Sequence, residues 1–117
     1  MNWWAVFFSF SGRINRAKYW LGVLAFYLSI FAAIYVSYLT GIGSDSALVL
    51  LLPACWMHFA VAVKRIHDLD KPGWWVILWL FIPGGQLILG VLEGTSGANR
   101  YGADPLSTWR ATATLAD

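Results

Sequence analysis

Charge is what this sequence has least of: Asp, Glu, Lys and Arg make up 12% of its 117 residues, against roughly a quarter in soluble globular domains. That scarcity argues against a free-standing water-soluble fold. Cysteine is nearly absent too. Cys55 stands alone, so no intrachain disulfide can close, and among Leu51, Leu52, Ala54 and Trp56 it reads as a small apolar filler. There are no internal repeats and no low-complexity segment. The net charge of +2 is too small to point to nucleic acid. A secretory signal is not expected, because the apolar run from Trp3 to Phe10 is short and its positive charges follow it. What the sequence does have, 59% apolar and 17% aromatic residues, excludes disorder. The length suits one domain, expected over 1–105, with 106–117 a loosely ordered tail.

No charge falls between Lys18 and Asp45, between Asp45 and Lys64, or between Lys71 and Glu93. A helix of about 20 apolar residues crosses about 30 Å of hydrocarbon. Three spans are therefore expected, over about 19–40, 46–65 and 73–92. They should be helices, since lipid offers backbone groups no water, and the alternation of a barrel strand is missing. Lys64 and Arg65 extend the second span if they snorkel toward water. Tyr19 and Trp20 at one end of the first span, and Tyr35 and Tyr38 at the other, lie about 25 Å apart at 1.5 Å per residue, matching two interfacial belts. Trp74 and Trp75 mark the start of the third.

Ahead of the spans, Trp3, Trp4, Phe7 and Phe8 share one helical face. This segment is too short to cross and reads as an interfacial amphipathic helix, capped by Asn2. The fold class expected is thus all-α and membrane-embedded, with three transmembrane helices after a short interfacial one. The third is kinked or re-entrant at Pro83-Gly84-Gly85. Lys and Arg crowd before the first span (Arg13, Arg16, Lys18) and after the second (Lys64, Arg65, Lys71), which puts the N-terminus in the cytoplasm. A kinked full crossing leaves Arg100 and Arg110 outside; a re-entrant hairpin brings all 8 basic residues to the cytoplasm.

Helices in lipid pack through small residues. Ala25, Ser29, Ala33 and Ser37 form one ridge at intervals of four, and Ala54, His58 and Ala62 form another; the two are expected to face each other. His58 then lies within the membrane opposite Ser29, with Tyr27 as the second choice, and reads first as a neutral, hydrogen-bonded histidine. Gln86, next to the helix break, is expected to bond backbone freed by Pro83.

Three polar motifs separate the apolar stretches. In 10–20, Gly12 allows a sharp turn, Asn15 caps the first span, and Arg13 and Arg16 sit where guanidinium forks match phosphate. In 64–75, Arg65 and Asp68 are three apart and able to pair, Asp68 is also an acceptor for Arg13 or Arg16, and Pro72 ends the turn. His67, Asp68 and Asp70 crowd together without the spacing of a metal site. In 93–105, glycines suit tight turns, and Asn99, Arg100 and Asp104 carry the polar chemistry; a phosphate-binding loop is excluded because no strand precedes it and no Lys-Ser/Thr helix follows.

Read in order, Phe10-Ser11-Gly12-Arg13 with Asn15-Arg16 and Tyr19-Trp20, then Arg65, His67-Asp68 and Gly73-Trp74-Trp75, then Gly94-Thr95, Gly97, Asn99-Arg100-Tyr101-Gly102 and Asp104-Pro105 resemble the bacterial inner-membrane family called domain of unknown function 805. The resemblance runs over about residues 7 to 105. It implies a small helical protein of the bacterial inner membrane, without an established reaction. Ala98 and Ala103 stand where the family often has proline, and Lys64-Arg65 where it often has two arginines.

The reading that follows is a non-enzymatic membrane module with no cofactor, metal or catalytic residue. Arg13, Arg16, Arg65, His67, Asp68, Asn99, Arg100 and Asp104 are expected to bind anionic lipid headgroups or a partner protein. The alternative is a subunit of an oligomeric transporter or channel built on the intramembrane polar residues His58, Ser29 and Gln86. An enzyme with His67 as base oriented by Asp68 ranks last, since helical neighbours point about 100° apart.

Overall fold

A computed structural model describes residues 2–116. The chain is helical in the order α1 (Trp3–Phe8), α2 (Arg16–Thr40), α3 (Ser44–Leu50), α4 (Leu52–Asp68), a 3-10 turn (Gly73–Trp75), α5 (Val76–Phe81), α6 (Gly85–Val91) and α7 (Ser107–Ala116). Two helical stretches are long and apolar enough to cross a bilayer, Arg16–Thr40 and Ser44–Asp68. The Asn2 side chain accepts from Ala5 N at 2.8 Å, and Asn15 accepts from Lys18 N at 2.9 Å, so both expected caps form. Gly41 ends α2 in the left-handed region, which a glycine enters without penalty. The second stretch is broken at Leu51, because Pro53 has no N–H to continue the α3 ladder.

α2 and α4 form the central antiparallel pair. They approach closely at Gly22, where a Cβ would stand 2.8 Å from Val61 Cγ1. Ala33, Ala54 and Ala62 of the small-residue ridges are buried. Gly22 is the contact those ridges did not include. Tyr19, Val23, Val61, Ala62 and Ile66 make a core with Ile14 and Leu89. That core lies entirely toward one end of the pair. At the other end large apolar side chains face outward: Phe31 is 67% exposed, Tyr38 83% and Leu52 65%. Such a belt is stable against lipid and not against water.

The stretch over 73–92 is not a third long helix. α5 stops at Phe81, Pro83-Gly84 breaks the chain with Gly84 at φ 74°, and α6 starts anew. The segment also reverses. Gly73 lies against Val63 and His67, Trp79 beside His58 and Phe59, Gln86 again beside His58, and Leu89 O beside Arg65. The two arms rise and return along α4, so residues 73 and 92 lie at the same end. The two ends of the chain are tied to this frame as well. α1 packs on α4 through buried Val6, while Trp3 and Trp4 point away. The stretch 106–117, expected as a loose tail, carries α7, started by Asp104, which accepts from Leu106 N through Oδ1 at 2.8 Å and from Ser107 N through its carbonyl at 3.1 Å. Asp117 lies outside the described residues.

Substituting Gly22→Leu should force α2 from α4 and cost about 1–3 kcal/mol, read as a lowered melting temperature in detergent micelles. Gly43→Ala, with open space around it, should leave the melting temperature unchanged.

Candidate functional site

Asp68, the last residue of α4, brings the three polar motifs together. Its Oδ1 accepts from Arg13 Nε at 3.0 Å and lies 2.9 Å from Arg13 Nη2; its Oδ2 accepts from Arg65 Nη1. Its backbone carbonyl accepts from Thr95 N at 2.8 Å. All three side chains are buried, Arg65 completely. Two guanidinium groups around one carboxylate leave a surplus positive charge, and carbonyl oxygens meet it. Arg13 donates to Thr95 O at 2.6 Å, Gly97 O at 2.7 Å and Gly102 O at 3.2 Å. Arg65 donates to Leu89 O at 2.8 Å and to Leu92 O, at the negative end of the α6 dipole. Gly94 passes directly over the Asp68 carboxylate, where any Cβ would collide with it.

The remaining motif residues extend this lock. His67 Nδ1 pairs with Gly12 O at 3.0 Å, at the left-handed turn with φ 92°, and its ring stacks on Tyr101 at 4.0 Å and 2°. Asn99 donates to His67 O at 2.9 Å and accepts from Tyr101 N at 2.8 Å. Asp104 accepts from Gly97 N at 2.9 Å and from Leu106 N, and pairs with Arg110 Nε at 2.9 Å. Burial alone would raise the Asp104 pKa; the two backbone donors and the Arg110 and Arg13 charges outweigh it and hold the carboxyl below the ordinary carboxylate range. Arg100 reaches Asp70 at 3.2 Å on the surface, and Arg16 reaches only Val91 O, at 3.3 Å, and is exposed.

This geometry sorts the residues singled out in the sequence. Arg13, Arg65, His67, Asp68, Asn99 and Asp104 turn inward and bond to the protein itself; Arg16 and Arg100 turn outward. The forks of Arg13 and Arg65, expected at phosphate level, are filled by carbonyls and Asp68. Lys64 does not snorkel: fully buried, it donates to Ala5 O and Ser9 O and ties α1 to α4. His67 and Asp68 bond in different directions and form no dyad. The sequence reading gave Lys64, Gly94, Thr95 and Tyr101 no place in the site, although the last three stand in the third polar motif. Membership of that motif was their signal; Lys64 had none beyond its charge.

Deeper in the helix pair, His58 stacks on Phe26 at 4.2 Å and lies 3.4 Å, Nε2 to Nε2, from Gln86. Gln86 Oε1 accepts from Tyr27 OH at 3.1 Å. Ser29, the neighbour expected for His58, instead donates to Ala25 O in its own helix at 2.8 Å, a bond available to any helical serine. Gln86 uses its side chain on Tyr27 and His58, not on backbone freed by Pro83. These groups border a cavity of about 390 Å³ beneath the break.

Asp68→Asn should leave two buried arginines short of charge and cost about 3–5 kcal/mol, seen as lost monodispersity on size exclusion in detergent. Arg100→Gln, at an exposed pair, should cost at most about 1 kcal/mol. Because its pKa is depressed, Asp104 stabilises the fold fully above the unfolded value near 3.8 and loses that contribution as pH falls through its lower folded value. Amide exchange across 105–116 should therefore accelerate below pH 4 relative to α2, and Asp104→Asn should give that faster exchange already at pH 7.

Comparison with known proteins bears on the whole arrangement. The chain is 40% identical over 103 residues to the Inner membrane protein YhaI of Escherichia coli K12, covering 82% of this chain and 85% of that one. It is 33% identical over 107 residues to the Inner membrane protein YhaH of the same strain, covering 82% and 86%. No solved structure matches. The family model described as "Protein of unknown function (DUF805)" matches residues 7–103, a stretch that holds Arg13, Arg65, Asp68 and Gly94, and the chain belongs to that family.

Proposed function

We propose that this chain is a small multi-pass protein of the bacterial inner membrane, a non-enzymatic module that crosses the bilayer twice and carries its polar motifs on the cytoplasmic face. In this reading 73–92 is a re-entrant hairpin, and both termini are cytoplasmic. The observation that carries it is the return of the chain to Asp68 after the Pro83-Gly84 break, with Thr95 N on Asp68 O at 2.8 Å. With one end of the helix pair holding all three motifs, all 8 basic residues obey the positive-inside rule. Tyr27 and His58 hold the two arms of the hairpin to α2 and α4 at Gln86 and Trp79, and residues 81–84 at its tip are exposed.

The inward residues Arg13, Arg65, His67, Asp68, Asn99 and Asp104 build the platform, and the outward Arg16 and Arg100, with Lys18, bind anionic lipid headgroups from it. Each basic group near an anionic leaflet gains about 1 kcal/mol. A compartment-sensitive tag on the C-terminus should report the cytoplasm; a periplasmic signal would overturn the reading. Arg16→Gln with Lys18→Gln should lower the anionic lipid retained on purification while leaving the melting temperature unchanged.

A second reading is favoured by one observation, the Tyr27–Gln86–His58 chain at the cavity under the helix break. Broken helices bearing polar side chains at this depth are a hallmark of transporters. Here several copies would enclose a pathway. Liposome flux abolished by His58→Leu would establish it, and a strict monomer in mild detergent would remove it.

A further inference from the structure

The lock at Asp68 leaves an open space on its outer side. Between the two arms of 73–92 and the end of α4 is a cavity of about 340 Å³, within the roughly 300–1,000 Å³ of ligand sites. Ile66 and Leu89 form its buried floor, and Leu78, Ile82 and Gly85 its far end beside the break. Gly85 keeps the arms close, since a Cβ there would stand 2.6 Å from Trp79 O. Charge appears only at the mouth, as Lys71 and Glu93. Lys71 lies over the Trp75 ring at 5.4 Å, and Glu93 is 3.7 Å from Arg110 across open surface. Neither is taken up by the Asp68 lock.

We infer that this cavity holds one acyl chain of a membrane phospholipid whose headgroup carries a phosphate and a primary ammonium, with Lys71 facing the phosphate and Glu93 the ammonium. The inference rests on the hairpin dipping into the bilayer, as proposed above. The polarity gradient fits: charges stand at the level of the Asp68 lock, and the walls turn wholly apolar toward the membrane interior. The shape fits as well. From Glu93 to Gly85 the arm rises about 12 Å at 1.5 Å per residue. An apolar slot of that length takes up the headgroup-proximal part of an alkyl chain. A second copy seated there instead would appear as a dimer in the native mass spectrum and would overturn the inference. The paired opposite charges select a zwitterionic headgroup over an anionic one, and the Glu93 carboxylate accepts hydrogen bonds from a primary ammonium, which a quaternary one cannot donate.

The test uses the full chain in nonionic detergent with equal amounts of phosphatidylethanolamine, phosphatidylcholine and phosphatidylglycerol of one acyl composition, and native mass spectrometry as the readout. One lipid should remain per chain, with phosphatidylethanolamine favoured over phosphatidylcholine about fivefold, equivalent to about 1 kcal/mol. Leu78→Trp and Ile88→Trp, which fill the cavity from opposite arms, should each remove that lipid while helicity by circular dichroism stays unchanged. Glu93→Gln should keep one lipid and abolish the preference for the primary ammonium. If both tryptophan variants unfold, the Glu93→Gln result alone decides. No retained lipid, or lipid retained equally by the folded tryptophan variants, would overturn the inference. So would a preference for phosphatidylglycerol removed by Arg16→Gln and Lys18→Gln; that outcome would support the outward basic residues as the lipid site instead. A periplasmic C-terminus would defeat the topology, not the cavity's occupancy, so the two failures are told apart.

Discussion

One carboxylate holds this protein together. Asp68 takes Arg13 from the loop before α2 and Arg65 from its own helix, and its carbonyl takes Thr95 from the loop after α6. Ionised groups this deeply buried are stable only when every charge and donor is met. Asp68 cannot neutralise both arginines, so the chain folds carbonyl-bearing loops and the end of α6 around them. The position of 93–105 follows from that electrostatic demand, and so does the reversal of 73–92.

The same demand explains why the residues most suggestive of a binding site are mostly structural. A guanidinium can serve an external phosphate only if its N–H groups are free, and those of Arg13 and Arg65 are spent on Asp68 and six backbone carbonyls. What the lock leaves outside it are Arg16, Lys18 and Arg100 at the rim and Lys71 and Glu93 at the mouth of an apolar cavity. Lys64 shows the same economy: a cation one residue from Arg65, buried to tie α1 to the helix pair.

Packing in the apolar half follows a different rule. With few charges to satisfy, α2 and α4 meet through apolar and aromatic contacts, Gly22 against Val61 and Phe26 stacked on His58. Their outer faces carry large apolar residues that lipid can cover. The polar exceptions, His58, Gln86 and Tyr27, find one another because the break at Pro83-Gly84 brings Gln86 to the depth of His58.

Composition and the spacing of charge by themselves determined that the chain is helical and lipid-facing. Local rules settled the caps at Asn2 and Asn15, the turn at Gly12, the end at Gly41 and the Arg65–Asp68 pair, because each depends on residues within four positions. The sequence also revealed a break at Pro83, which cannot donate an N–H. The direction the chain takes after that break lay beyond it, since a kink and a reversal have the same local chemistry. Contacts across 55 to 89 positions, Arg13 to Asp68 and Arg13 to Gly102, decide it. Partner choice was likewise tertiary: Ser29 lies on the right ridge for His58, yet its own helix carbonyl is nearer, and Gln86 comes into reach only after the chain has turned back. Which arginines point inward is a question of where free carbonyls lie, and only the folded chain answers it.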